Sequence, residues 1–200
     1  MKRAFDLVVA TLGVMALSPL LLLIALLIKL DSRGPILFKQ ERIGKGFRPF
    51  AIYKFRTMVE NAAKLGSPIT CGDDPRITRL GKYLRAAKLD ELPQLVNILK
   101  GDMSFVGPRP EVPRYVELFR ADYEEILTVR PGLTDWASLK YSDEAAMLGQ
   151  FENPEGEYVR NLLPDKIRLA KKYIRRASLT VDLKLICETI GRLLRGGLGA

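Results

Sequence analysis

An uninterrupted apolar segment near the amino terminus most constrains how this chain folds. The 22 residues from Leu7 to Ile28 carry no charge, and charged residues stand close on both sides of them. As a straight helix with about 1.5 Å per residue, the segment reaches about 33 Å, enough to cross a hydrocarbon core of about 30 Å. A cleaved signal peptide is not favoured, because the segment is long and no small-residue cleavage site follows it.

Ser18 and Pro19 divide this segment in the middle. Proline lacks the N–H that a helix interior uses, so it kinks or interrupts a helix. Each half, Leu7–Leu17 and Leu20–Ile28, is about 15 Å long, roughly half a bilayer. Basic residues flank both ends, whereas a crossing helix usually has them on one side. Half-lengths of this kind suit a re-entrant segment that enters and leaves by the same face. Helices that cross a membrane with a proline kink are nevertheless common, so the residues alone favour a membrane-spanning helix, with the re-entrant segment as the alternative.

The charge balance and the missing residue types limit the chemistry. The 200 residues include 32 basic and 23 acidic ones, a net charge of +9. Such a charge indicates an anionic partner, which leaves nucleic acid, a phosphorylated substrate or an acidic membrane surface open. The chain has no histidine, which excludes histidine-based nucleophile systems and histidine-ligated zinc. Cys71 and Cys187 stand far apart and support no zinc ribbon or disulfide framework.

The remainder of the chain predicts an α/β domain that is mainly α. Two β-prone runs at 36–42 and 50–58 flank Gly44-Lys45-Gly46 and predict a short β-hairpin. Apolar periodicity predicts helices over Ile77–Arg85, Leu92–Lys100, Val112–Leu127, Asp165–Arg176 and Val181–Arg195. The last two helices are basic and amphipathic, which suits an interface with anionic lipid.

The best candidate for chemistry is the sequence Leu-Asp-Glu-Leu-Pro-Gln at Leu89–Gln94. Asp90 is suited to cap the helix that follows, and Pro93 is tolerated in a first turn. A carboxylate at the positive end of a helix, where phosphate groups also bind, can attack phosphorus or hold Mg²⁺. In isolation, an N-cap followed by an acidic first turn is the commoner meaning of Asp90-Glu91.

Basic residues near this sequence favour a phosphate site. Arg85 lies one turn before Asp90, and Arg109 stands between two prolines whose stiff backbone can aim its guanidinium. Arg130 precedes another Pro-Gly pair, and Lys54 alternates with aromatic residues on a predicted strand. Each cation taken singly is more often a surface ion pair. The candidate phosphate-binding cations are Arg85, Arg109, Lys54, Arg56 and Arg130.

Motifs that run nearly from end to end resemble those of the bacterial sugar transferases, the monotopic polyprenyl-phosphate phosphoglycosyl transferases. The chain begins at the apolar segment, so it resembles the small, minimal form of the family. The matching segments include Gly34–Gly44, Tyr53–Met58, Asp74–Gly81, Leu89–Leu95, Lys100–Pro110 and Arg130–Thr134.

The resemblance implies a reaction in which a sugar 1-phosphate passes from a UDP-sugar to a polyprenyl phosphate and UMP leaves. It implies that Asp90 is the nucleophile, forming a covalent phosphosugar with ping-pong kinetics. Glu91 is then the neighbour that helps hold Mg²⁺ or handles protons, so Asp90 and Glu91 are the expected metal ligands. The expected phosphate and substrate contacts are Arg85, Arg109, Lys54, Arg56, Arg130 and Thr134.

The resemblance also implies an arrangement at the bacterial inner membrane. Residues 1–33 are expected to form a re-entrant anchor, a helix-break-helix with its break at Ser18 and Pro19. Residues 34–200 are expected to form a catalytic domain on the cytoplasmic face, with basic amphipathic helices at about 165–195. The expected partners are the UDP-sugar, the polyprenyl phosphate and membrane lipid, without nucleic acid, and a homodimer stays open.

One segment departs from the family pattern. After Thr134 many relatives continue Gly-Leu-Ala-Gln-Val, whereas this chain has Asp135-Trp136-Ala137-Ser138-Leu139. The donor sugar therefore stays open, and Trp136 either stacks on the donor or packs inside the fold. The main alternative function is a non-enzymatic, basic, membrane-tethered module that binds lipid or nucleic acid. An aspartyl phosphatase and a membrane scaffold without chemistry are further alternatives.

Overall fold

The protein is mainly helical and contains two short strand pairs. The computed structural model describes residues 2–62, 70 and 74–196, with backbone only for 194–196. The helices are α1 (Lys2–Asp31), α2 (Arg79–Ala86), α3 (Gln94–Lys100), α4 (Pro113–Leu118), α5 (Arg120–Ile126), α6 (Trp136–Lys140), α7 (Glu144–Leu148), α8 (Pro154–Glu157), α9 (Leu163–Arg176) and α10 (Leu179–Gly196). The strands are β1 (Leu37–Ile43), β2 (Pro49–Phe55), β3 (Ser104–Val106) and β4 (Gly132–Thr134).

Helix α1 runs through Ser18 and Pro19 without an interruption. The prediction of two half-helices separated by a break is therefore corrected, while the re-entrant path stays a prediction. Pro19 has no N–H to donate to the carbonyl of Met15, four residues earlier. The Ser18 hydroxyl donates to that carbonyl at 2.8 Å instead. This hydrogen bond replaces the one that the proline removes, which explains how the helix continues.

One face of α1 packs along the rest of the protein over most of its length. Ala10, Ile24 and Ile28 are buried, and each belongs to an apolar cluster shared with other elements. The opposite face is apolar and exposed. Its large exposed side chains include Val8, Leu12, Met15, Leu22, Leu26 and Leu30. Within the described part of the chain, α1 is the one helix long and apolar enough to cross a membrane.

Both ends of α1 are bonded to the remainder of the chain. Near its start, the Lys2 ammonium donates to Asp182 of α10 at 2.6 Å, and Asp6 accepts from the β3 backbone at 3.2 Å. Near its end, the Arg56 guanidinium donates to the carbonyl of Ser32 at 2.7 Å. The helix therefore lies against the protein surface instead of projecting away from it.

The two strand pairs run in different directions. Strands β1 and β2 form the predicted antiparallel hairpin, with Leu37 opposite Phe55. Strands β3 and β4 form a short parallel pair that the sequence did not indicate. After β3 the backbone meets the start of β4 very closely. A Cβ on Gly132 would lie 2.1 Å from the nitrogen of Gly107, so this approach requires glycine.

The predicted helices are found with two kinds of difference. The helix expected over 112–127 is two helices, α4 and α5, which meet at Phe119 with φ −119° and ψ 36°. The stretch around Asn153-Pro154, where no helix was predicted, contains α8, and a π-helical turn at Tyr158–Leu162 joins it to α9. Helices α2, α3, α9 and α10 lie within a few residues of their predicted bounds, as expected for boundaries read from sequence.

Candidate active site

A single 3₁₀ turn, Leu89–Glu91, carries the acidic pair between α2 and α3. The prediction that Asp90 caps α3 is wrong, because α3 begins after Pro93 and no side chain caps it. Asp90 is 8% exposed. Among the described residues, no group donates a hydrogen bond to its carboxylate. A buried carboxylate that caps no helix is free to engage a ligand.

The surroundings of Asp90 combine burial with nearby cations. Burial raises the pKa of its carboxyl, and the negative charge of Glu91 acts in the same direction. The positive charges of Lys54, Arg85 and Lys88 oppose this rise. The Asp90 carboxylate is thus poorly solvated and close to three cations, which are the conditions of a nucleophile that works on an anionic phosphate.

Glu91 pairs with two cations from different parts of the chain. Its Oε1 accepts from the Lys54 ammonium at 2.8 Å and from an Arg109 Nη, and its Oε2 accepts from the other Arg109 Nη at 3.4 Å. Burial opposes the charge of Glu91, yet Arg109 and Lys54 hold the pKa of this carboxyl well below its usual range. Glu91 therefore stays ionised and fixes both cations beside Asp90.

The cations of this cluster respond to burial differently. Glu91 raises the pKa of Arg109 well above its ordinary value despite burial. Burial lowers the pKa of Lys54, and the nearby carboxylate of Glu91 only partly offsets this. The strand β2 brings Lys54 to the cluster, and the turn after β3 brings Arg109. The two cations predicted from sequence therefore meet at Glu91.

Asp135 holds the backbone of Arg109. Its Oδ2 accepts from the Arg109 N–H at 3.2 Å, and its Oδ1 accepts from the Ser138 N–H at 2.7 Å, which caps α6. Asp135 is 2% exposed. The sequence alone indicated no role for Asp135. It is the first residue of the segment that departs from the family pattern after Thr134.

Arg85 approaches the cluster from the last turn of α2. Its Nε donates to the Thr57 hydroxyl at 2.8 Å. Helix α2 can come this close because Gly81 has no side chain. A Cβ at that position would lie 2.2 Å from the Thr57 carbonyl oxygen. Burial lowers the pKa of Arg85, while Asp90 and Asp74 oppose the change, so its charge lies near Asp90. Arg85 therefore lies within electrostatic range of Asp90, and its role as a phosphate contact stays a prediction.

Three predicted substrate contacts lie outside this cluster. Arg56 is buried at the carboxyl end of α1 and bonds to the backbone there. Arg130 donates to the carbonyl of Gly101 at 2.8 Å, at the opposite end of α3 from Asp90. The Thr134 hydroxyl bonds to the Thr189 hydroxyl of α10 at 2.7 Å. Each of these three side chains bonds to a neighbouring element and not to the Asp90 cluster, and their substrate contacts stay predictions.

The carboxylates fit a divalent cation only in part. Among the residues that the structure describes, no group of three or more acidic or cysteine side chains lies together. Both oxygens of Glu91 are already bonded to Lys54 and Arg109. Asp90 is free, and Mg²⁺ commonly takes one or two carboxylates together with substrate phosphates. Asp90 therefore fits Mg²⁺ as a ligand, whereas Glu91 in this arrangement does not.

Trp136 packs inside the fold. Its ring meets the Tyr173 ring edge-on, with 6.2 Å between centroids, and the Lys172 ammonium lies 5.1 Å from the Trp136 ring. These contacts join α6 to α9. Of the two roles left open by the sequence, packing is the one that the structure shows.

The chain matches a known protein family over nearly its whole length. Residues 1–196 match the family described as "Bacterial sugar transferase". This chain belongs to the bacterial sugar transferase family. The match covers α1, the hairpin and every element that contributes to the Asp90 cluster.

Three named relatives match this chain over nearly all of its residues. The undecaprenyl-phosphate glucose phosphotransferase of Komagataeibacter xylinus is 43% identical over 96% of the chain and 35% of its own length. The UDP-N-acetylgalactosamine-undecaprenyl-phosphate N-acetylgalactosaminephosphotransferase of Aeromonas hydrophila is 38% identical over 98% of the chain and 44% of its own length. The chain thus spans less than half of these two relatives. The exopolysaccharide production protein PSS of Rhizobium leguminosarum bv. phaseoli is 38% identical over 100% of the chain and 98% of its own length.

Proposed function

We propose that this protein transfers a sugar 1-phosphate from a UDP-sugar to a polyprenyl phosphate of the undecaprenyl type and releases UMP. The observation that carries the proposal is the Asp90 carboxylate, which is buried, receives no hydrogen bond from the described residues, and lies among cations. The names of relatives that cover the whole chain support the choice of donor and acceptor. The product would be the first membrane-bound intermediate of a polysaccharide or another glycoconjugate.

The proposed reaction has two in-line steps at phosphorus. In the first, an Asp90 oxygen attacks the β-phosphorus of the donor, and the bond from this phosphorus to the bridging oxygen breaks. UMP leaves with that oxygen, and the sugar phosphate stays on Asp90. In the second, a phosphate oxygen of the polyprenyl phosphate attacks the same phosphorus and displaces the carboxylate. The acceptor is an anion near neutral pH, so the absence of histidine costs little.

The neighbouring residues stabilise negative charge during both steps. Phosphoryl transfer depends mainly on positioning and on charge neutralisation. The Nε of Arg85 donates to the neutral Thr57 hydroxyl and not to a carboxylate. The positive charge of this guanidinium therefore suits the donor phosphate. Glu91 acts through the two cations that it holds, Lys54 and Arg109. We assign it a positioning role.

We include Mg²⁺ in the proposal, with Asp90 and the donor phosphates as its ligands. When bound, the ion supplies positive charge to the phosphate oxygens. The expected result of adding EDTA is loss of UMP release, and excess Mg²⁺ should restore it. Full activity in EDTA would remove the metal from the proposal.

We propose a monotopic, re-entrant placement on the cytoplasmic face of the inner membrane. The packing of α1 supports one part of this proposal, that both of its ends lie on the same side of the membrane. Both ends of α1 bond to the same domain, near Lys2 and near Ser32, while its outward face is apolar. A helix held in this way cannot place its two ends on opposite sides of a bilayer unless the domain also crosses it. The lipid would therefore cover the outward face of α1 from one side.

Cysteine labelling tests this placement. Variants of a cysteine-free chain with Ala4→Cys or Arg33→Cys should both react with a membrane-impermeant maleimide only after the cytoplasmic side is opened. Labelling of the two positions from opposite sides would exclude the re-entrant arrangement.

Intact-mass spectrometry tests the covalent step. Incubation with a UDP-sugar and without acceptor should add the mass of one sugar phosphate, and polyprenyl phosphate should remove it. Asp90→Asn should abolish both the adduct and UMP release, whereas Asp122→Asn on α5 serves as the matched control and should keep them. Turnover by Asp90→Asn would refute Asp90 as the nucleophile. A chain that binds lipid yet releases no UMP from any UDP-sugar would favour the non-enzymatic membrane-tethered module.

A further inference from the structure

Lys88 occupies an unusual backbone position directly before the catalytic turn. Its φ of 55° and ψ of 20° lie in the left-handed region, which costs energy for a residue with a side chain. Its carbonyl accepts from the Glu91 N–H at 3.3 Å. The backbone of Lys88 is therefore fixed to the turn that carries Asp90 and Glu91, and backbone strain of this kind often occurs at functional sites.

The Lys88 ammonium has no acidic partner within the described part of the chain. It donates one hydrogen bond, to the carbonyl of Ser142 at 3.1 Å, in an exposed position. An ammonium has three donors, so this neutral contact leaves its charge uncompensated. Lys54 and Arg109 are in a different situation, because Glu91 already neutralises them. Lys88 is thus a cation near Asp90 that stays available to an incoming anion.

The donor brings such an anion to this point. Its diphosphate must approach the Asp90 carboxylate, and the like charges repel each other unless cations lie between or beside them. The charge of Lys88 already acts on the Asp90 carboxylate. A flexible lysine stem allows the ammonium to move from one acceptor to another without moving the backbone.

We propose that Lys88 is a further substrate-binding residue, whose ammonium leaves the Ser142 carbonyl and binds a non-bridging oxygen of the donor diphosphate. This inference rests on the proposed function. It also links the donor to the segment between α6 and α7, because the Ser142 carbonyl loses its donor when the diphosphate binds. The neighbouring sequence, which departs from the family pattern after Thr134, then borders the donor site.

Steady-state kinetics with UDP-glucose and UDP-N-acetylgalactosamine, which carry the two sugars in the names of the reported relatives, test the role of Lys88. Lys88→Asn removes the charge with a residue that tolerates the left-handed backbone, so the turn is expected to stay folded. Loss of one charged hydrogen bond should lower kcat/KM for the donor by about 10- to 100-fold. The kcat/KM for polyprenyl phosphate should stay within about twofold, because it depends only on the second step, after the donor diphosphate has been cleaved.

Two further variants complete the test. Lys88→Arg keeps the charge and should restore most of the lost kcat/KM. Lys45→Met, which removes an exposed lysine in the β1–β2 connection, is the matched control and should change nothing. A donor kcat/KM for Lys88→Asn within about twofold of the unchanged protein would overturn the role of Lys88. Failure of the unchanged protein to release UMP from any UDP-sugar would instead overturn the proposed function, and this inference with it.

Discussion

Removing the charge of Glu91 should destabilise the protein strongly, even though the side chain lies in the proposed active site. Glu91 is the common partner of Lys54 and Arg109, and its side chain is 15% exposed. In Glu91→Gln the neutral amide keeps the volume, but two cations lose their compensating charge. The Lys54 and Arg109 side chains are 22% and 33% exposed, so solvent can replace only part of that compensation.

The expected magnitude follows from this partial burial. Breaking a buried ion pair by removing one partner typically costs about 3–5 kcal/mol. Arg109 reaches solvent over about a third of its side chain, so we expect the lower value, about 3 kcal/mol. For a chain of this size that corresponds to a fall in Tm of about 6–12 °C. A second change, Lys54→Met, removes one of the two stranded charges and should recover about 1 kcal/mol or more of the loss.

Thermal unfolding followed by the fluorescence of the single tryptophan, Trp136, measures this change in detergent. Glu117→Gln is the matched control, because Glu117 pairs with Arg120 on the surface and both side chains are more than half exposed. That control should cost less than about 1 kcal/mol. The same scans at several pH values test the ionisation of Glu91.

The sign of the pH dependence is fixed by the lowered pKa of Glu91. Its ion pairs stabilise the folded protein fully above the ordinary glutamate pKa of 4.5, and this contribution is lost as the pH falls through the lowered value. The Tm difference between Glu91→Gln and the unchanged protein should therefore be constant near neutral pH and shrink in acid. A difference below about 2 °C at neutral pH, or a double variant no more stable than Glu91→Gln, would refute the role of Glu91 as a hub.

The remaining predictions concern Asp90 and the start of α1. Burial raises the pKa of Asp90, so the charged carboxylate destabilises the folded protein at pH values above the ordinary aspartate pKa of 3.8. Asp90→Asn should therefore raise Tm by about 2–4 °C in the same scans. The rate of adduct formation should fall as the pH drops, with an apparent pKa above 3.8, in mass-spectrometric time courses. Asp182→Asn weakens the bonds to Lys2 and Tyr173 and should cost about 1–3 kcal/mol, with faster proteolysis near the start of α1.

Local chemistry in the sequence was sufficient for much of the fold. The Gly-Lys-Gly connection of the hairpin and the amphipathic periods of α9 and α10 depend on neighbouring residues, and these elements were predicted correctly. The charge-free run from Leu7 to Ile28 correctly indicated an apolar helix, but the break predicted at Ser18 and Pro19 was wrong. The parallel pairing of β3 with β4 was not predicted, because it joins segments about 28 residues apart through the contact of Gly107 with Gly132. Nothing local to either strand specifies that partner.

The sequence by itself determined which residue types had to carry the chemistry. A chain without histidine must use carboxylates, cations or a metal, and the Asp-Glu pair with its neighbouring arginines was a candidate from the sequence. Its expected catalytic role came from the family resemblance. Only the tertiary structure decided how the cations divide among the acids. Lys54 and Arg109 both pair with Glu91, and Asp90 receives no hydrogen bond from the described residues. Arg56 bonds to the backbone at the end of α1. The physical reason is that burial and pairing depend on which distant side chains meet, and spacing along the chain does not encode that directly.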